Sequence, residues 1–300
     1  MVNGKMSLGW RCFLTKINDM FSKISLGTVQ FGLEYGINNT KGQTTKDEVS
    51  KILKRCEKVG IAFIDTAAAY GSAEDVLGEV IQSEALSNSF YITTKYRGDG
   101  INSLSLSTRE SIQKLRVEKL HCQMFHSYQD FKNTEDFIKP DQVDKIGVSV
   151  YTNEELLESI KCPKIRVIQC PFNLLDNHSV RGESLKMAKE KGVEIQVRSA
   201  FLQGLFFMDR NSLPSALIDL KGPLEGLDQI CSDNEITMSH LALGYCLSKD
   251  YIDKVVIGVD SLEQLNINIE AIKTPLPKFI IEEIDKITVI NQKLLNPTNW

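Results

Sequence analysis

Residues 45–67 read TKDEVSKILKRCEKVGIAFIDTA, a helix followed at once by a strand, and much of the chain repeats this pair. Val49, Ile52, Leu53, Cys56 and Val59 recur at three- and four-residue spacing, which gathers them on one helix face. Thr45, with Glu48 three residues later, has the form of a capping box, and Gly60 stands where a helix commonly ends in left-handed backbone. The run Ala62–Ala67 that follows is short and mostly apolar, as in a strand buried on both faces. Similar runs span Lys23–Phe31, Phe90–Lys95, Cys122–Ser127, Lys145–Val150, Val167–Phe172, Val193–Ser199 and Lys254–Val259.

Helical signals lie between them. Thr152 with Glu155 and Ser261 with Gln264 repeat the capping pattern, while Val76, Leu77, Val80 and Ile81 form a second apolar stripe. Ile280, Ile284, Ile287 and Leu294 form another near the carboxyl end. Eight strands alternating with helices imply parallel pairing through right-handed crossovers, and eight is the number that closes a filled barrel. The expected fold is therefore α/β, a (β/α)8 TIM barrel. The rival, an open doubly wound sheet, usually carries GxGxxG after its first strand, whereas this chain has Gly27-Thr28-Val29-Gln30-Phe31-Gly32. Residues 1–22 read as a loosely ordered extension, and 23–300 as one barrel domain with a carboxyl-terminal helix. Phe201–Glu235, with Gly204, Pro214, Gly222, Pro223 and Gly226, reads as one long functional loop between the seventh and eighth strands.

Composition narrows the function. The 300 residues carry 35 Lys+Arg against 39 Asp+Glu, a net charge of −4, so no basic excess points to nucleic acid. A mean hydropathy of −0.16 and the lack of a long apolar run argue against a membrane span. Seven cysteines, odd in number and without a CxxC pair, read as reduced thiols of a cytoplasmic protein. No secretion signal is evident at the amino terminus. His121, His126, His178 and His240 have no metal-binding spacing, and neither a phosphate-cradling GxxxxGK[ST] nor a nucleophilic GxSxG is present. The expected partner is a small molecule and the expected state a monomer or small homo-oligomer, with no metal.

Polar residues collect where the predicted strands end. Asp65 closes the second strand, Tyr70 follows in its loop, Lys95 closes the third and His126 the fourth. Neighbouring parallel strands lie roughly 4.8 Å apart, so these groups meet at the carboxyl-terminal mouth, where barrel enzymes keep their chemistry. Asp65 can neutralise a buried Lys95, and an ammonium beside Tyr70 favours phenolate. Such a phenol can protonate a carbonyl oxygen, and His126 can orient that oxygen. Nothing in the set supplies an electron pair to carbon, so a separate hydride donor is required. Taken singly, each residue also has a structural role open to it, as a rim ion pair, a packing tyrosine or a strand-end histidine.

The segment Asp65-Thr66-Ala67-Ala68-Ala69-Tyr70-Gly71, followed in order by Lys95 and His126, resembles the aldo-keto reductase superfamily, over about Lys23 to Ile272. The resemblance implies that Tyr70 is the general acid/base, that Lys95 and Asp65 tune it and that His126 positions the carbonyl. It also implies a nicotinamide cofactor. Thr28 would contact it from the first strand, and Ser149 and Gln169 would hold its carboxamide. Val150 stands where the family has Asn, and Arg198 where it commonly has a stacking Tyr. Ser199, Leu202 and Gly204 would lie near the pyrophosphate, and Gly258, Gln264 and Asn268 near the adenosine. The family implies NADP(H). The lack of Lys or Arg at Gly258 and Gln264, together with Asp260, leaves NAD(H) open. The implied activity is reduction of an aldehyde or ketone, sugar-derived carbonyls included. The alternatives are a nicotinamide-binding sensor or regulatory protein with little turnover, and a hydrolase or isomerase using Asp65 and His126.

Overall fold

The helix expected from Val49, Ile52, Leu53 and Cys56 forms over Lys46–Val59 (α1) with those four side chains buried. Thr45 accepts from the Glu48 amide, and Gly60 ends the helix at φ 86°. The strand after it is Phe63–Asp65 (β2). The computed structural model describes residues 19–36, 39, 42–98, 104–134 and 137–300, so most of the expected amino-terminal extension lies outside the described residues.

Around this pair the chain builds Ile24–Gly27 (β1), Ala73–Ser83 (α2), Tyr91–Tyr96 (β3), Leu104–Leu115 (α3), Leu120–Phe125 (β4) and Tyr128–Asn133 (α4). Val143–Ser149 (β5), Asn153–Ser159 (α5), Ile165–Pro171 (β6), His178–Glu190 (α6) and Glu194–Arg198 (β7) follow. Lys221–Asp233 (α7), Met238–Leu247 (α8), Lys254–Gly258 (β8), Leu262–Ala271 (α9) and Lys278–Ile284 (α10) complete it. The strands form a closed parallel barrel in chain order, and β8 returns to β1 through Leu26 opposite Ile257. The fold is a (β/α)8 TIM barrel. Thr152 and Glu155 make the full capping box at α5, and Ser261 caps α9 by accepting from Gln264.

Three expectations are corrected. The first strand stops at Gly27, and Val29–Gly32 forms a helical turn instead of extending the strand to Phe31. The segment Phe201–Glu235 is not loop throughout, because α7 occupies its second half and buries Leu224, Leu227 and Ile230 at three-residue spacing. The carboxyl-terminal stripe is broken: α10 ends at Ile284, and Leu294 lies in a separate 3-10 turn, Gln292–Leu295. Strand limits also move by one or two residues. Asp144 and Arg166 sit inside β5 and β6, where a search for apolar runs would not have begun a strand.

The barrel interior is partly polar. Gln169 Nε2 donates to Asp65 Oδ1 at 2.6 Å and lies 3.3 Å from Gln196 Oε1, whose own amide donates to Glu194 at 2.9 Å. At the far mouth, Lys145 Nζ lies 2.6 Å and His121 Nε2 3.4 Å from Glu194 Oε2. Burial opposes charge on Glu194, but His121, Lys145 and Gln196 outweigh it and bring the carboxyl down to about 2. A hydrogen-bonded column thus runs from the upper mouth to the lower one.

Candidate active site

The four groups expected to meet do so. β2 ends on Asp65, β3 carries Lys95 one residue before its end, and His126 follows β4 directly. Lys95 Nζ lies 2.5 Å from Asp65 Oδ2, 3.0 Å from the Thr66 carbonyl and 3.5 Å from Tyr70 Oη. The three N–H groups of the ammonium thus face three oxygens. Lys95 and Asp65 are both buried, at 2% and 4% side-chain exposure. Burial works against the Lys95 charge, but Asp65 and the Tyr70 oxygen prevail and hold Lys95 above its ordinary range. The His126 ring stands edge-on to the Tyr70 ring, with centroids 5.9 Å apart. Burial, then the charges of Lys95 and Arg97, push His126 down to about 4, so it is neutral at pH 7.

Tyr70 is placed by a close backbone approach. The turn Val29–Gly32 packs on the loop between β2 and α2, and a Cβ on Gly32 would stand 1.8 Å from the Tyr70 carbonyl oxygen and 2.4 Å from the Ala73 nitrogen. Only glycine fits there. The Tyr70 carbonyl in turn accepts from the Ala73 amide at 3.0 Å, where α2 begins. Thr28 joins β1 to β2, its hydroxyl donating to the Asp65 carbonyl at 3.1 Å.

These groups line a cleft of about 700 Å³. Thr28, Ser149, Gln169, Arg198, Ser199, Gly204, Gly258, Gln264 and Asn268 line the same cleft. Leu202 does not, and its side chain is fully buried. Gln169 has its amide nitrogen on Asp65, while its Oε1 is buried with no partner. Arg198 lies over the Tyr151 ring, 4.2 Å from its centroid, and reaches the Val150 carbonyl at 3.4 Å. The guanidinium therefore already has an aromatic face to stack on.

Several lining residues were not read from the sequence. Tyr151 follows directly on Ser149-Val150, so an aromatic just past a strand end was an available signal. Tyr35, Gln203 and Phe207 come from loops without periodicity and gave none. Gln203 Nε2 donates to Tyr35 Oη at 3.1 Å, linking the loop after β1 to that after β7. The latter loop is strained: Ser199, Leu202 and Gln203 have φ of 62°, 47° and 54° before Gly204 at 95°. Left-handed backbone costs a non-glycine residue about 1–2 kcal/mol, and such strain gathers at ligand clamps.

A profile of the Aldo/keto reductase family matches residues 23–289. A probable voltage-gated potassium channel subunit beta of Arabidopsis thaliana is 23% identical over 323 residues, covering 93% of this chain and 97% of the relative. The aryl-alcohol dehydrogenase GME11368 of Pestalotiopsis microspora is 24% identical, with 88% and 78% covered. Among solved structures, the holo form of the aldo-keto reductase AKR11C1 from Bacillus halodurans superimposes with a TM-score of 0.66 at 20% identity, over 90% of this chain and 94% of that one. With the family profile spanning nearly all of the barrel, this chain belongs to the aldo/keto reductase family.

Proposed function

We propose that this oxidoreductase reduces a small aldehyde or ketone, sugar-derived carbonyls included, to the alcohol, using a reduced nicotinamide dinucleotide held in the cleft. The observation that carries this reading is the buried Lys95 ammonium joining Asp65 to the Tyr70 phenol, with a neutral His126 beside it. The cleft fits a dinucleotide. Gln169 Oε1 is a buried acceptor without a partner, suited to a carboxamide N–H, with Ser149 nearby in the same lining. The strained turn Ser199–Gly204 suits a pyrophosphate, and Gly258, Gln264 and Asn268 suit the adenosine. Bound there, the nicotinamide supplies a hydride to the carbonyl carbon.

The protein's own groups do the rest. Tyr70 Oη gives its proton to the carbonyl oxygen as negative charge builds there. The ammonium of Lys95 faces the oxygen that loses the proton and stabilises the phenolate left behind. Asp65 and the Thr66 carbonyl keep that ammonium from turning away. His126, being neutral, can donate to the substrate oxygen without placing a second cation beside Lys95. A reducing, cytoplasmic setting suits Cys56, Cys122, Cys162, Cys170, Cys231 and Cys246, which are all free thiols.

The test is Tyr70→Phe. Carbonyl reduction, followed by nicotinamide absorbance over a panel of aldehydes and ketones, should fall about 10²–10⁴-fold, the usual contribution of a general acid. Dinucleotide affinity should stay within about threefold. Undiminished turnover in Tyr70→Phe would remove the general acid from the reading. Tight dinucleotide binding by the unaltered protein with no turnover on any carbonyl would instead favour a regulatory role.

A further inference from the structure

Beside β8 the cleft is lined by Gln30, Gly258, Asp260, Gln264, Ile267 and Asn268, of which only Asp260 carries a charge. Of the cations lining the cleft, Lys95 is held by Asp65 and Arg198 lies over Tyr151. Asp260 is fixed by Gln264, whose amide nitrogen donates to Asp260 Oδ2 at 3.2 Å and whose oxygen accepts from the Asp260 amide at 2.9 Å. Its other carboxylate oxygen, Oδ1, is buried and has no partner.

The start of α9 is also occupied. The Leu262 amide donates to Glu48 Oε1 of α1 at 2.7 Å, and the Gln264 amide to Ser261 Oγ at 3.3 Å. An arriving phosphate would therefore find the Leu262 and Gln264 amides taken and the Glu48 and Asp260 carboxylates alongside. Two cations of α1 are engaged as well: Lys51 lies 3.2 Å from Glu48, and Arg55 donates to Asn266 at 2.8 Å.

We infer that Asp260 is a specificity-determining residue that selects NAD(H) over NADP(H), accepting a ribose hydroxyl at Oδ1 and excluding a 2′-phosphate. The inference rests on the dinucleotide reading above. A buried carboxylate oxygen without a donor is costly, and a ribose 2′-hydroxyl supplies the donor it lacks. A dianionic phosphate supplies none and meets like charge.

The experiment is a titration of the full chain with NADH and with NADPH, followed by nicotinamide fluorescence in the absence of any carbonyl. NADH should bind at least tenfold more tightly than NADPH. In Asp260→Ser and Asp260→Asn that ratio should shrink severalfold, through weaker NADH and tighter NADPH binding, and a urea unfolding midpoint close to that of the unaltered protein shows that each variant is folded. Equal or tighter NADPH binding by the unaltered protein, or a ratio unmoved in both variants, overturns the assignment of Asp260 alone. Failure of either dinucleotide to bind overturns the cofactor reading itself, and this inference with it.

Discussion

Replacing Lys95 by Met tests whether the buried ion pair is a unit of both stability and chemistry. The ammonium is 2.5 Å from Asp65 Oδ2, and both side chains are almost fully removed from water. In Lys95→Met the Asp65 carboxylate keeps the Gln169 amide at 2.6 Å and loses its counter-ion. Removing one member of a buried pair costs about 3–5 kcal/mol, because the charge left behind has neither water nor partner. Domains are stable by only about 5–15 kcal/mol, so the loss is a large share of the total. At a urea slope of about 3 kcal/mol/M the unfolding midpoint at pH 7 should drop by roughly 1 M or more. Adding Asp65→Asn removes the stranded charge while leaving an oxygen for Gln169. The double variant should regain at least half of the lost stability, yet both variants should be inactive toward carbonyls. A single variant within about 1 kcal/mol of the unaltered protein, or a double variant less stable than the single, would refute the reasoning.

Two further outcomes follow from the same site. His126 has a folded-state pKa of about 4 against an ordinary 6.5, so the unfolded chain takes up a proton first as pH falls. Stability is then constant above pH 6.5 and declines below it, by roughly 2 kcal/mol at pH 4.5, and urea midpoints at pH 7, 5.5 and 4.5 should lose this slope in His126→Gln. Glu194, near 2 when folded against an ordinary 4.5, gives a separate loss only below pH 4.5, so the two windows can be told apart. Gly32→Ala drives a methyl into the Tyr70 carbonyl, and it should cost about 1–3 kcal/mol and lower kcat at least tenfold with dinucleotide Kd little changed. An active Gly32→Ala would show that the position of Tyr70 does not depend on that contact.

What the sequence made legible was what has a period or an order. The 3- and 4-residue spacing of Val49 to Cys56 gave α1, and the alternation of such helices with short apolar runs gave the barrel. Asp65, Lys95 and His126 could be brought together because consecutive parallel strands are neighbours, so strand ends share a mouth. The same logic failed where polar residues occupy strand starts, as at Asp144 and Arg166. It failed again at α7, whose glycines and proline suggested loop although Leu224, Leu227 and Ile230 carry a buried stripe. The positions of Tyr35, Gln203 and Phe207 depend on where irregular loops cross the cleft, which no local spacing encodes. Gln169 could be placed at the mouth, but its grip on Asp65 is a contact across the barrel that only the closed sheet creates.

That last contact has a mechanical consequence. β2 and β6 stand four strands apart in an eight-strand ring, on opposite sides of the lumen, and the Gln169–Asp65 hydrogen bond ties them together like a spoke. The cross-section of the barrel and the seat of the Asp65 carboxylate are therefore one geometric quantity. A wall substitution that flattens the ring into an ellipse would change the Asp65–Lys95 separation without touching either residue, and neither half of the barrel, taken as four strands, contains both ends of the spoke.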